Sequence, residues 1–127
     1  MKFLLDVNAL VAALCPASPH HAAFNGWAAK LRPADLATCA ITELGFIRVG
    51  SAAYGFTIGD SRKLLQAFRA SGPAYIGTLP SPADRLPTWA ARHGHTTDAY
   101  LCMVAQEHGL RLATFDTSIR DPAVLLL

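Results

Sequence analysis

Nine carboxylates occur in this chain, few enough to weigh one at a time. Asp35, Asp60, Asp84 and Asp121 sit beside proline, glycine or serine, where turns and helix starts use aspartate for capping and solvation. Glu107 precedes His108 near an expected helix end and is read as a solvated surface charge. The remaining four, Asp6, Glu43, Asp98 and Asp116, each fall where an apolar segment gives way to its successor. Carboxylates brought together repel and oppose one another's ionisation, a conflict that a divalent cation relieves. An all-oxygen donor set of this kind favours Mg²⁺, with Mn²⁺ as the alternative, over zinc. Such a set of residues is therefore read as a divalent-cation site.

Taken singly, each of the four has an ordinary explanation. Asp98 suits the first turn of a helix, Asp116 a turn, and Glu43 the polar face of its helix. Asp6 is hardest to explain away, because an aspartate closing an apolar strand must find polar partners at the sheet edge.

The elements that must position these groups alternate in type. Lys2–Val7 is an apolar run suited to a buried strand, followed by helical turns over Ala9–Leu14 that Pro16 stops. Ser18-Pro19 opens a helix reaching about Leu31. Leu36–Cys39 is a second strand and Ala40–Gly50 a helix. Thr57–Ala70 is an amphipathic helix with Ile58, Leu65 and Phe68 inward. Ala74–Leu79 predicts a third strand, and Ser81-Pro82 a helix continuing to about Arg92. Thr96 or Thr97 caps a helix that ends at Gly109. Arg111–Phe115 and Ala123–Leu127 are the last strands. Connections too long for hairpins imply right-handed crossovers and a mainly parallel sheet wrapped by helices, an α/β domain spanning 1–127. Asp6 and Asp116 then lie beyond the carboxyl ends of strands, and Glu43 and Asp98 at helix starts on the same edge, where open α/β sheets bind ligands.

Composition narrows the alternatives. Hydrophobic residues are 52% and charged residues 16% of the chain, which excludes a disordered polyelectrolyte and suggests apolar surface used in assembly. A formal charge of +2 permits a polyanionic partner without requiring one. Cys15, Cys39 and Cys102 are odd in number and widely spaced, as buried thiols in a reducing compartment are. Asp6 and Asn8 interrupt the N-terminal apolar run, and no stretch reaches the roughly 20 residues that span a bilayer, so the expected location is cytoplasmic.

The segments LLDVNAL (4–10), ATCAITELGF (37–46), TTDAYL (96–101) and LATFDTSI (112–119) resemble, in order, the motif blocks of PIN-domain nucleases, above all the VapC-type toxins of bacterial toxin–antitoxin pairs. The likeness covers nearly the whole chain and is least informative over residues 51–95. It implies a three-layer PIN fold with a sheet of about five strands. It also implies an acidic quartet of Asp6, Glu43, Asp98 and Asp116, with Asn8, Thr97 and Thr114 in support. Asp6 and Asp98 would be the most direct metal ligands, Asp116 would support that cation or a second one, and Glu43 would act through a bound water. The activity implied is a Mg²⁺- or Mn²⁺-dependent endoribonuclease leaving a 5′-phosphate and a 3′-hydroxyl. The partners implied are RNA, a VapB-like antitoxin and a second copy of the chain. Many relatives carry a basic residue directly after the fourth acid; here Thr117 and Ser118 follow, with Arg120 later.

For RNA phosphates the candidates are Arg48, Arg62, Lys63, Arg69, Arg85 and Arg92, each equally suited to a solvated helix face. His20, His21, Trp27, His93 and His95 suit base stacking, but the His20-His21 pair reads first as a surface helix start. Two rival readings are a non-catalytic PIN-like binding module and a phosphoryl-transfer domain of receiver or phosphatase type. The second wants a lysine late in the chain, and none follows Lys63.

Overall fold

Successive residues of a strand face opposite sides of its sheet, and here both sides are apolar, as a sheet covered on both faces requires. The computed structural model describes residues 1–127 and contains five parallel strands: β1 (Phe3–Leu5), β2 (Leu36–Cys39), β3 (Ala74–Ile76), β4 (Arg111–Thr114) and β5 (Val124–Leu126). Their order across the sheet is β3-β2-β1-β4-β5. The helices are α1 (Val7–Leu14), α2 (His21–Ala28), α3 (Ala40–Tyr54), α4 (Ile58–Ala70) and α5 (Thr96–Glu107).

Leu4, Ala37 and Leu112 pack on one face with Leu101, Cys102 and Val104 of α5. Their neighbours Leu5, Leu36 and Ala113 pack on the other with Leu10 of α1, Phe24 of α2, Phe46 of α3 and Leu65 of α4. Three layers result, as the sequence implies. All three cysteines are free and buried. Burial, with the neighbouring charges of Asp121, Asp6 and Asp98 adding to it, pushes the Cys102 thiol up to about 12, so it packs as a small hydrophobe. No helix is long and apolar enough to cross a membrane.

Strand order explains where a site belongs. The chain winds outward from β1 through β2 to β3, then returns to lay β4 on the opposite flank of β1. At such a reversal the connections leaving two adjacent strands diverge and open a crevice at their carboxyl ends. Asp6 and Asp116 flank that crevice, one residue beyond β1 and two beyond β4.

Several boundaries differ from the sequence-based expectation, each for a local reason. The first strand stops at Leu5 because Asp6 caps α1, its Oδ1 accepting the Val7 N–H at 2.7 Å. The third helix runs on to Tyr54 and ends at Gly55, whose φ of 70° provides the left-handed C-cap. Thr57 and Asp60 form a reciprocal capping box at the start of α4.

The helix expected over Ser81–Arg92 does not form; those residues make turns instead. Pro87 removes a backbone donor in the middle of the segment, and tertiary bonds take over. Trp89 packs against the α5 face of the core and donates from Nε1 to Asp121 Oδ2 at 2.9 Å, while Tyr100 donates to the Pro80 carbonyl at 2.7 Å. Arg85 pairs with Glu107, giving the latter a partner where the sequence suggested only solvent. Trp89→Phe keeps a smaller aromatic ring but loses the bond to Asp121, and should cost about 1–2 kcal/mol in urea denaturation.

One close approach brings α3 against the start of α1. A Cβ on Gly45 would lie 2.5 Å from Val7 Cγ2, so only glycine lets the helix bearing Glu43 pack directly beside the residue following Asp6.

Candidate active site

Beyond the carboxyl ends of β1 and β4 lies a cleft of about 390 Å³, within the size range of small-ligand sites. Asp6, Asp98 and Asp116 line it, together with Asn8 and Thr97. Asp6 comes from the end of β1, Asp116 from the loop after β4, and Asp98 from the first turn of α5.

Asp6 is the most constrained of the three. It is buried; Oδ1 is held by the Val7 N–H, and Oδ2 accepts the Thr114 hydroxyl at 2.8 Å. Burial raises its pKa, the bonds from Thr114 and Val7 act in the opposite sense, the Asp116 charge raises it further, and the net direction is upward. Thr114 is fully buried and ties the strand ends together: besides Asp6, its Oγ1 accepts from Asn8 Nδ2 and from the Asp116 N–H, both at 3.0 Å. Asn8 closes the network, with Oδ1 accepting the Phe115 N–H at 3.0 Å.

Asp116 is oriented from its own loop. Its Oδ1 accepts both the Ser118 N–H at 2.8 Å and the Ser118 hydroxyl at 2.6 Å. Ser118, two residues past the acid, thus holds the carboxylate it follows. Asp98 has no such support. Burial, then the charges of Asp6 and Asp116, push its carboxyl up to about 6, against an opposing pull from His95.

Glu43 occupies the first turn of α3, beyond the end of β2 on the same sheet edge, but is not part of the cleft lining. Its Oε1 accepts from the buried Thr38 hydroxyl at 2.8 Å and lies 3.9 Å from Arg69 Nε. Three of the four acids therefore share one cleft, and the fourth faces a neutralising arginine. No three acidic, histidine or cysteine side chains are close enough to enclose a metal ion by themselves.

The cleft also holds residues that sequence reasoning set aside or missed. His20 and Ser18 reach it from the turn before α2, and Arg48 and Tyr54 from the later turns of α3. Of these, only Arg48 and His20 carried a signal, as one of several cations and one of several stacking candidates.

The raised Asp98 carboxyl, set first by burial and then by the neighbouring charges, has a pH signature. A carboxyl whose folded pKa lies above the ordinary value of about 3.9 binds its proton more tightly in the folded chain than in the unfolded one. Its contribution is most favourable below about pH 4 and is lost as pH rises through about 6. In chelator, the Tm difference between the unaltered chain and Asp98→Asn should therefore be small near pH 4.5 and grow to several degrees, in favour of Asp98→Asn, by pH 7.5. Thermal melts at the two pH values check this.

A three-layer α/β fold with three aspartates lining a cleft at the switch point of its parallel sheet defines the general class: an acidic-cleft α/β domain. The PIN domain family model matches residues 3–125, and the chain belongs to that family. It is 37% identical over 123 residues to Ribonuclease VapC38 of Mycobacterium tuberculosis, covering 91% of this chain and 86% of that protein. It is 31% identical to Ribonuclease VapC39 of the same organism, over 97% of this chain and 94% of that one. For Ribonuclease VapC44, also from M. tuberculosis, the identity is 34%, over 98% and 92% of the two chains.

Proposed function

We propose that this chain is a Mg²⁺- or Mn²⁺-dependent endoribonuclease and the toxin member of a toxin–antitoxin pair. The observation that carries the reading is the convergence of Asp6, Asp98 and Asp116 on one cleft, where burial, with mutual repulsion adding to it, raises Asp6 and Asp98, and a bound cation would offset both. Relatives named as ribonucleases, aligned over nearly the whole chain, supply the substrate class.

The donor set fits the implied metal. All the groups are hard oxygens, and magnesium keeps several waters, using one or two carboxylates and the substrate's phosphate rather than a cage of protein ligands. Carboxylates that face one cleft without closing around a point suit that habit. Asp6 and Asp98 would hold the ion, Asp116 would support it, and Glu43 would act through a water. When bound, the cation lowers the pKa of a coordinated water and stabilises charge at the attacked phosphate.

The chain's own residues do the positioning. Thr114 and Val7 fix both oxygens of Asp6, Asn8 locks the 114–116 turn against the start of α1, and Ser118 aims Asp116. A homodimeric assembly belongs to the same reading, as the resemblance implies. An antitoxin segment bearing a basic side chain would satisfy the same carboxylates and so silence the site.

The test is cleavage of total bacterial RNA by purified protein confirmed free of antitoxin, with Mg²⁺, Mn²⁺ or EDTA. Discrete cuts that require metal are expected. Absence of cleavage under either metal would overturn the reading and favour a PIN-like binding module.

A further inference from the structure

One wall of the acidic cleft carries groups that the cutting chemistry does not use. His20 is exposed, yet its position is fixed. Its N–H donates to Ser18 Oγ at 3.2 Å, and the next residue, His21, is anchored through Nδ1 to the Ala12 carbonyl at 2.7 Å. The His20 ring lies against Phe115, with centroids 4.3 Å apart and planes only 16° from parallel. Phe115 is fixed in turn, because it stands between Thr114 and Asp116 and its N–H is bound by Asn8. The network that aligns the acids therefore also sets the height and tilt of the His20 ring.

A planar ring covered on one face by Phe115 and exposed elsewhere offers its free face to another flat group. Every nucleobase has such a face, and an unpaired base can reach it, whereas a base stacked within a duplex cannot. Because the ring is already held, little side-chain freedom remains to be lost on binding. Arg48, exposed on α3 and lining the same cleft, suits the phosphodiester chain.

We infer that His20, backed by Phe115, is a stacking platform for one unpaired nucleobase flanking the scissile phosphate, and that Arg48 takes a neighbouring backbone phosphate. This rests on the RNA-cleaving reading of the acidic cleft and narrows it: the substrate is single-stranded at the cut, and His20 biases which base stands beside it.

The experiment uses a pool of short single-stranded RNAs of randomised sequence, cut by the unaltered chain, His20→Ala, His20→Phe and Arg48→Ala, with the ends mapped by sequencing. The unaltered chain should show a base preference at one position beside the cut. His20→Ala should flatten that preference and raise KM about tenfold with little change in kcat. His20→Phe, which keeps a stacking ring, should retain both. Arg48→Ala should raise KM for all sequences alike and reduce the salt slope of binding by about 0.7.

Cleavage by His20→Ala at the same bases with the same KM overturns the inference while leaving the proposed activity standing. So does a loss in His20→Ala that His20→Phe shares. If the unaltered chain cuts nothing with either metal, the activity and the inference fall together.

Discussion

Asp98→Asn is expected to lower metal-dependent RNA cleavage by at least about a thousandfold, because a bound cation supplies several kcal/mol of transition-state stabilisation and one of its two proposed direct ligands is lost. The same change should leave the fold intact. Asp98 lies in the first turn of α5, but no hydrogen bond engages its carboxylate, and the neighbours that set its charge state, apart from His95, are repulsive. Neutralising it should stabilise the metal-free chain at pH 7.5 by about 1 kcal/mol, a figure reduced for the group's partial exposure to solvent. Activity on RNA and thermal melting in chelator are the two measurements. An Asp98→Asn chain retaining more than about a tenth of the activity would remove Asp98 from the site.

Thr114→Val should produce the second large effect, and in a different pattern. Valine matches threonine in shape, so the core is not opened, but the hydroxyl that joins Asp6, Asn8 and the Asp116 N–H disappears. The buried Asp6 oxygen keeps only the longer 3.4 Å bond from Asn8 Nδ2, and the Asp116 N–H is left without a partner, at a cost of about 1–3 kcal/mol. Loss of a group that orients a metal ligand typically weakens metal affinity by about 10–100-fold. Mn²⁺ titration by calorimetry should show that fall, and urea denaturation the destabilisation. Thr114→Ser, which restores the hydroxyl, should recover most of the affinity. Unchanged Mn²⁺ affinity in Thr114→Val would show that Asp6 is not oriented through this residue.

Much of this architecture could be read from residue order. Leu4-Leu5 and Leu112-Ala113 announce strands buried on both faces, and the acids that end them fall at the ligand-binding edge of any parallel sheet. What residue order does not carry is which strands are neighbours. The switch between β1 and β4, which brings Asp6 and Asp116 together, is a property of the whole sheet. The expected helix over 81–92 failed because its signal was local, a serine-proline start, while the deciding contacts of Trp89 and Arg85 come from Asp121 and Glu107, far along the chain. Glu43 was recognisable as an acid at a helix start, yet its pairing with Arg69 depends on α4 packing beside α3. His20 and Arg48 were each one of several similar residues, and only the cleft separates them from the rest.

The three aspartates differ in how much of the fold depends on them, and that difference bears on how such a protein decays. Asp6 has both oxygens committed, one to the start of α1 and the other to Thr114, whereas Asp98 is bound to nothing. A lineage under pressure to disarm the chain meets unequal routes. Mutation at Asp6 gives up a helix cap and risks a misfolded product, while mutation at Asp98, on the proposed reading of the site, yields a well-folded and inert one. Silent copies that persist because they still capture the partner should therefore carry their lesion at Asp98 more often than at Asp6.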